Sequence, residues 1–360
     1  MILDAEKQGR IKRGDVLIEP TSGNTGMGLA MTAASLGYKM IITLPEKMSQ
    51  EKQDALTGLG ATVIRTPTEY AFDHLYSHIG IAFTLEKQLG ASAHVLDQYK
   101  NPSNSMVHYE ETGREIYEQC DGKIDYLVIG AGTGGTITGI ARWIKEKNPN
   151  IKIIGVDPNG SVLAQPNSLN EANPAAEGGQ VVEGVGYDFL PRVFDRTVVD
   201  EWMKGPDKEG FVMARRLMRE EGLLCGGSSG MAMHGAIEYI KANKIGKGKR
   251  VVVLLPDNIR NYMTKHLNSD WMYERGYITE QECAKNFTSN LVPNNDWGQK
   301  LTVKDIPLNE AVFIKQTATV SEAIHMIQTT GFDQFPVKNE QGKTVGVLTD
   351  KNLMARLAKN

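Results

Sequence analysis

Short apolar runs recur along this chain and alternate with amphipathic stretches. Val16–Ile18, Met40–Leu44, Thr62–Arg65, Val95–Leu96, Tyr126–Ile129, Ile153–Val156 and Val251–Leu255 read as strands. Helical patterns fill most of the intervals, including the one from Met27 to Leu36. The runs are apolar at nearly every position rather than at alternate ones. That predicts strands buried on both faces, hence parallel sheets covered by helices and an α/β fold with a doubly wound main region. The strongest punctuation is Leu291 to Gln299, which is polar and rich in turn formers. It predicts a main domain over 1–290, a linker over 291–304 and a small domain over 305–360. In the small domain Val312-Phe313-Ile314, Phe335-Pro336-Val337 and Val345–Leu348 read as strands. Val320 to Gln328 reads as a helix, and another begins near Asp350.

The polar interruptions carry the chemistry. Glu19-Pro20-Thr21-Ser22-Gly23-Asn24-Thr25-Gly26 joins the first strand to the first long helix. Glycine lets backbone approach a ligand, hydroxyls donate, and a helix N-terminus offers unpaired N–H groups, so such a loop suits an anion. Asn24 adds an amide able to orient a ring substituent. Gly130-Ala131-Gly132-Thr133-Gly134-Gly135-Thr136 repeats the arrangement, as does Cys225-Gly226-Gly227-Ser228-Ser229-Gly230. Three such loops in one α/β chain predict a site for a phosphorylated cofactor and a carboxylate substrate.

Composition narrows the class. The 360 residues can bury two domains, and a net charge of −3 gives no global basic surface for nucleic acid or anionic membrane. No run of about 18 apolar residues predicts a membrane span. The three cysteines, Cys120, Cys225 and Cys283, show no metal spacing and point to a reducing, cytoplasmic location.

Other readings compete at single motifs. Gly130-x-Gly132-x-x-Gly135 follows a strand and opens a helix, and Asp157 ends the next strand, which also fits an NAD-linked oxidoreductase. The extra glycine and paired threonines of Gly132–Thr136 suit a compact cup around one terminal phosphate instead. NAD also leaves the Ser22–Thr25 loop unexplained. His74 and His78 have the i, i+4 spacing of a zinc pair, but no adjacent Glu and no third ligand accompany them, so no metal is expected. Cys225 reads as a small apolar residue ending a strand.

Taken together, Glu19–Gly26, Asp97-Gln98-Tyr99, Gly132–Thr136, Glu183-Gly184-Val185-Gly186-Tyr187-Asp188-Phe189, Gly226-Gly227-Ser228 and Pro256–Met263 resemble the animal cystathionine β-synthases. These belong to the fold-type II pyridoxal-phosphate enzymes, which are tryptophan synthase β-like. The resemblance implies two parallel-sheet subdomains and one C-terminal CBS motif ending at Gly346-Val347-Leu348-Thr349-Asp350. It implies pyridoxal 5′-phosphate as cofactor, with Asn24 on the ring hydroxyl, Gly132, Thr133, Gly134, Gly135 and Thr136 on the phosphate, and Ser228 at the pyridine nitrogen. Ser22, Thr25 and Gln98 would bind the substrate carboxylate, and Tyr187 would shape the second-substrate side. The implied reaction condenses serine with homocysteine to cystathionine (the transsulfuration step), with hydrogen sulfide release from cysteine as a related activity. A homodimer or higher homo-oligomer is expected, and no haem.

One departure matters. The family's cofactor-binding lysine lies in a Ser-Val-Lys-Asp-Arg segment, and this chain has none. By the resemblance it would fall before Met1, so the chain reads as N-terminally truncated with impaired catalysis; Lys7 and Lys12 lack the motif around them. Asn352 stands where nucleotide-binding CBS motifs often carry Asp. Cysteine synthase, and a non-catalytic partner of the full-length enzyme, remain as alternatives beside the oxidoreductase.

Overall fold

A computed structural model describes residues 1–175, 179–283, 302, 304, 310–332 and 334–349. The chain divides into two compact units, Met1–Thr288 and Ser289–Asn360. The expected linker over 291–304 lies outside the described residues except for 302 and 304, and so do the helix near Asp350 and Asn352.

The first unit holds two four-stranded parallel sheets. One contains β1 (Val16–Pro20), β2 (Lys39–Pro45), β3 (Thr62–Thr66) and β4 (Ala93–Val95), in the order β3-β2-β1-β4. The other contains β5 (Tyr126–Gly130), β6 (Lys152–Pro158), β7 (Glu201–Gly205) and β8 (Val251–Val253), in the order β7-β6-β5-β8. The continuous apolar runs have a direct cause. Successive side chains of a strand point to opposite faces, so a strand covered on both sides feeds two cores. Leu17 packs with Ala30, Ala33 and Ile42 on one face of the first sheet. Its neighbour Ile18 packs with Ala82 and Val95 on the other. In β5, Leu127 and Ile129 enter one cluster with Ile137, Ile140 and Ile144, while Val128 enters another with Phe211 and Met231.

Element bounds differ from expectation in several places, of which three bear on the site or the sheet ends. The first long helix starts at Asn24, ahead of Met27, so the motif's own asparagine opens it. The fourth strand is Ala93–Val95, and the last strand of the unit stops at Val253. β7 was not anticipated at all, because Glu201 and Lys204 break its apolar pattern. The aromatic part of that pattern is nonetheless core: Trp202 packs edge-on against Phe194 with ring centroids 5.9 Å apart.

The second unit contains β9 (Ile314–Lys315), the Val320–Thr330 helix, β10 (Gln334–Lys338) and β11 (Thr344–Thr349). β10 runs parallel to β9 and antiparallel to β11. Thr319 and Glu322 form a reciprocal capping box that starts the helix. Ile314, Ala323 and Phe335 form its small core.

Candidate active site

The parallel sheets of the first unit end in the loops that the sequence marks as chemical. β1 leads through Thr21, Ser22 and Gly23 into the Asn24–Leu36 helix. β5 leads through Ala131 to Gly134 into the Gly135–Lys147 helix. Gly226 opens the Gly227–Ala242 helix. All three junctions line one cleft of about 480 Å³. Crevices at the carboxyl ends of parallel strands are the usual ligand sites of such sheets, because helix N-termini point into them.

Each wall is fixed by hydrogen bonds. Thr21 Oγ1 accepts from the Gly23 N–H at 3.2 Å, which tightens the first loop. The Lys52 ammonium donates to the Ser22 carbonyl at 3.1 Å. Gln98 is held from two sides: its amide donates to the Pro20 carbonyl at 2.8 Å, and its backbone N–H donates to Glu19 Oε1 at 2.9 Å. Glu19 is wholly buried, and burial pushes its carboxyl up to about 8. Asn104 joins the two halves of the cleft. Its amide donates to the Gln98 carbonyl at 2.8 Å and to Thr133 Oγ1 at 3.0 Å. His108 Nε2 meets Thr136 Oγ1 at 3.1 Å, and burial lowers the imidazole's pKa, keeping it neutral.

The second glycine loop closes over a neighbouring carbonyl. Gly134 has a φ of 82° and caps the helix in the left-handed region. A Cβ on Gly132 would stand 2.6 Å from the Gly184 carbonyl oxygen, so only glycine lets these two loops approach. Gly184 leads to Tyr187, which Ser161 holds. Ser161 Oγ donates to the Tyr187 carbonyl at 3.1 Å and accepts its N–H at 3.0 Å. The Tyr187 ring meets Tyr99 edge-on at 5.5 Å.

Ser22, Asn24, Thr25, Gln98, Gly132, Thr133, Gly134, Thr136, Tyr187 and Ser228 all line the cleft. Gly135 does not; it is turned against Asn104, whose Oδ1 would lie 2.1 Å from an added Cβ. Asn104, His108 and Thr112 also line it and carry no motif that sequence reading could have singled out. The competing motifs take other places. Asp157 is wholly buried, accepts from Lys204 Nζ at 2.7 Å and from the Ala164 N–H at 3.1 Å, and is absent from the cleft lining. It therefore does not present the free acid that a ribose would need. His74 stacks on Tyr70 at 4.1 Å, while His78 Nε2 meets the Tyr99 hydroxyl at 3.1 Å. Burial raises the Cys225 thiol, as befits a packed core residue. Among the described residues no cluster of three metal-ligating side chains occurs, and no helix is long and apolar enough to cross a membrane.

Comparison with known proteins agrees with this geometry. Residues 1–257 match the family described as pyridoxal-phosphate dependent enzyme, and residues 303–359 match the CBS domain. Cystathionine beta-synthase of Dictyostelium discoideum is 56% identical over 99% of the chain and 70% of its own length. The chain belongs to the cystathionine β-synthase family. The enzyme of that name from Mus musculus is 49% identical over 99% of the chain, and that from Saccharomyces cerevisiae 44% over all of it. The chain spans 61% of the mouse protein and 72% of the yeast protein.

Cystathionine β-synthases of this kind hold pyridoxal phosphate, and the cleft suits the group. The threonine-lined cup at a helix N-terminus matches a terminal phosphate. Ser228 is 4% exposed, and its hydroxyl has no hydrogen-bond partner among the described residues, which leaves it free for a ring nitrogen. The covalent part of the family's site is a different matter. No lysine is among the described residues lining the cleft, and Lys7 and Lys12 are exposed away from it. The nearby Lys52 is committed to Ser22 and Glu183.

Proposed function

We propose that this chain binds pyridoxal phosphate in the cleft and serves the β-replacement that condenses serine with homocysteine to cystathionine and water. The convergence of three strand–loop–helix junctions on one cleft carries the reading. Gly132, Thr133, Gly134 and Thr136 hold the phosphate from the lining, and Gly135 contributes its backbone N–H. Asn24 bonds the ring hydroxyl. Ser228 faces the pyridine nitrogen with a neutral hydroxyl, which leaves that nitrogen unprotonated and favours elimination over transamination. Ser22, Thr25 and Gln98 bind the carboxylate of serine, and Tyr187 bounds the second-substrate side. Bound pyridoxal phosphate supplies the electron sink that lets the Cα proton and the β-hydroxyl depart.

Cytoplasmic action in a homo-oligomer is part of the reading, with sulfide release from cysteine as a side reaction. The described lining holds no lysine, and a general base at Cα is worth roughly 10²–10⁴ in such a step. An assay must therefore separate turnover from cofactor binding alone, the second reading being a non-catalytic partner of catalytic family members.

One experiment separates these. Purified chain is titrated with pyridoxal phosphate by absorbance and fluorescence, reduced with borohydride, peptide-mapped, and assayed for cystathionine. Saturable binding without a lysine adduct, and slow turnover, is the expected result. Saturable binding with no turnover selects the partner reading, whereas absence of saturable binding overturns both.

A further inference from the structure

Of the Pro256–Met263 segment that follows β8, only Pro256 reaches the cleft, which Asn24 and Ser228 also line. The segment is fixed to the stretch that opens the Gly227–Ala242 helix. The Gly226 N–H donates to the Asp257 carbonyl at 3.3 Å, and the Ile259 N–H donates to the Leu224 carbonyl at 3.2 Å. Asp257 therefore stands just behind the lining, with its carboxylate turned onto Gly226. A Cβ added to Gly226 would meet Asp257 Oδ1 at 2.0 Å. The other oxygen, Oδ2, accepts from the hydroxyl of the buried Tyr262 at 2.5 Å. Oδ1 is buried and has no close hydrogen-bond partner among the described residues. The side chain that reaches this carboxylate from the cleft is Asn24. Burial raises the Asp257 pKa, and hydrogen bonding by Tyr262, the Lys52 charge and hydrogen bonding by Asn24 oppose that rise.

An unfilled acceptor behind an amide decides which way the amide faces. An ionised carboxylate only accepts, whereas a side-chain amide carries two donor hydrogens on one nitrogen and an acceptor oxygen. With its oxygen turned to Asp257, Asn24 would set two acceptors against each other. We propose that Asp257 is a positioning residue for the cofactor: Oδ1 takes one amide hydrogen of Asn24, which leaves the other to donate to the ring hydroxyl. The role rests on the cofactor reading proposed above. The ring hydroxyl and the ring nitrogen flank one edge of pyridoxal phosphate. Asp257, packed on Gly226 at the start of the helix that carries Ser228, thus ties together the two grips on that edge.

The test uses pyridoxal phosphate and its 3-deoxy analogue, which lacks only the ring hydroxyl. Both are titrated into the chain by fluorescence. The unsubstituted chain is expected to prefer pyridoxal phosphate about tenfold, the scale of one hydrogen bond. Asp257→Ala should erase most of that preference while leaving the affinity for the analogue unchanged. Asp257→Asn keeps the shape and serves if the smaller variant does not fold. Its neutral oxygen accepts about half as strongly, so the preference should fall to roughly threefold. In an Asn24→Ala background, Asp257→Ala should leave the ratio of the two affinities as it is. A merely structural role for Asp257 would weaken both ligands alike, and that result overturns the proposal. So does an unchanged preference in the folded variants, or equal binding of the two ligands by the unsubstituted chain. Failure of the unsubstituted chain to bind either ligand would instead sink the functional reading, and this proposal with it.

Discussion

Lys52 Nζ lies 2.7 Å from Glu183 Oε2, with the two side chains 1% and 3% exposed. A second ammonium, from Lys265, contacts the other oxygen of the same carboxylate. Lys52 also reaches the Ser22 carbonyl and lies 4.7 Å from the centroid of the Tyr262 ring. The pair thus ties the loop before the first long helix to the segment that leads into Gly184 and Tyr187. Removing Lys52 leaves the buried Glu183 carboxylate with Lys265 alone and one oxygen without its partner, so Lys52→Met should cost about 1–3 kcal/mol of stability. Urea unfolding checks this; a change within about 0.5 kcal/mol, the range of an ordinary surface substitution, would show that the pair is not a stabilising link.

The same network sets an acid limit. Burial works to raise the Glu183 pKa, but Lys52 and Lys265 outweigh it and hold the carboxyl below its ordinary value of 4.5. A depressed folded-state pKa contributes stability above the unfolded value, and that contribution fades as pH falls through the folded one. Glu183→Gln should therefore narrow the stability difference from the unsubstituted chain between neutral pH and the region below 4.5. Melting temperatures at pH 7 and pH 4 measure it, and parallel losses at both would refute it.

Glu19 behaves in the opposite sense. Its folded-state pKa, raised to about 8 by burial, exceeds the unfolded value. The folded chain then holds a proton that the unfolded chain releases, so stability declines as pH rises from the unfolded pKa toward 8. Glu19→Gln keeps an oxygen to accept the Gln98 N–H and removes the titration. The variant should gain stability relative to the unsubstituted chain at pH 8 compared with pH 5. Denaturant midpoints at the two values decide it, and an unchanged difference would mean that Glu19 does not titrate in this range.

What could be read from the sequence, and what could not, follows from the range of the forces involved. β5 was legible because Leu127, Val128 and Ile129 are all buried, each toward one of two cores. The three glycine loops were legible because close backbone approach restricts residue type locally. β7 was hidden, since Lys204 and Glu201 look like a solvated edge. In the fold Lys204 is sequestered by Asp157, Ser161 and Asn170, and Glu201 accepts from the Tyr239 hydroxyl. Asn104 and His108 were hidden for another reason. Their partners Thr133 and Thr136 meet them only through tertiary packing, and nothing in the Ser103–Thr112 stretch announces it.

Gly132 offers a steric test of the cup. An alanine Cβ there would stand 2.6 Å from the Gly184 carbonyl oxygen, a backbone atom with no rotamer to yield. Gly132→Ala should destabilise the fold by about 1–3 kcal/mol, the usual cost of overpacking. It should weaken pyridoxal-phosphate binding more than it lowers melting temperature, since the displaced loops are those of the cup. Fluorescence titration beside thermal unfolding separates the two effects. Full cofactor affinity in the variant would place the phosphate elsewhere.

Asn104 provides the decisive coupling, because one amide bonds both the Gln98 carbonyl and the Thr133 hydroxyl. If Gln98 serves the substrate carboxylate and Thr133 the phosphate, cutting this link must affect both ligands. Asn104→Leu should weaken cofactor binding roughly tenfold, the worth of a hydrogen bond whose partner is left buried and unpaired. Serine binding to the cofactor-loaded chain should fall with it. Thr133→Val removes the same bond from the other end. The double variant should therefore lose less cofactor affinity than the two single losses combined, because shared contacts are not additive. Strict additivity in that cycle would mean that the two halves of the cleft are organised independently.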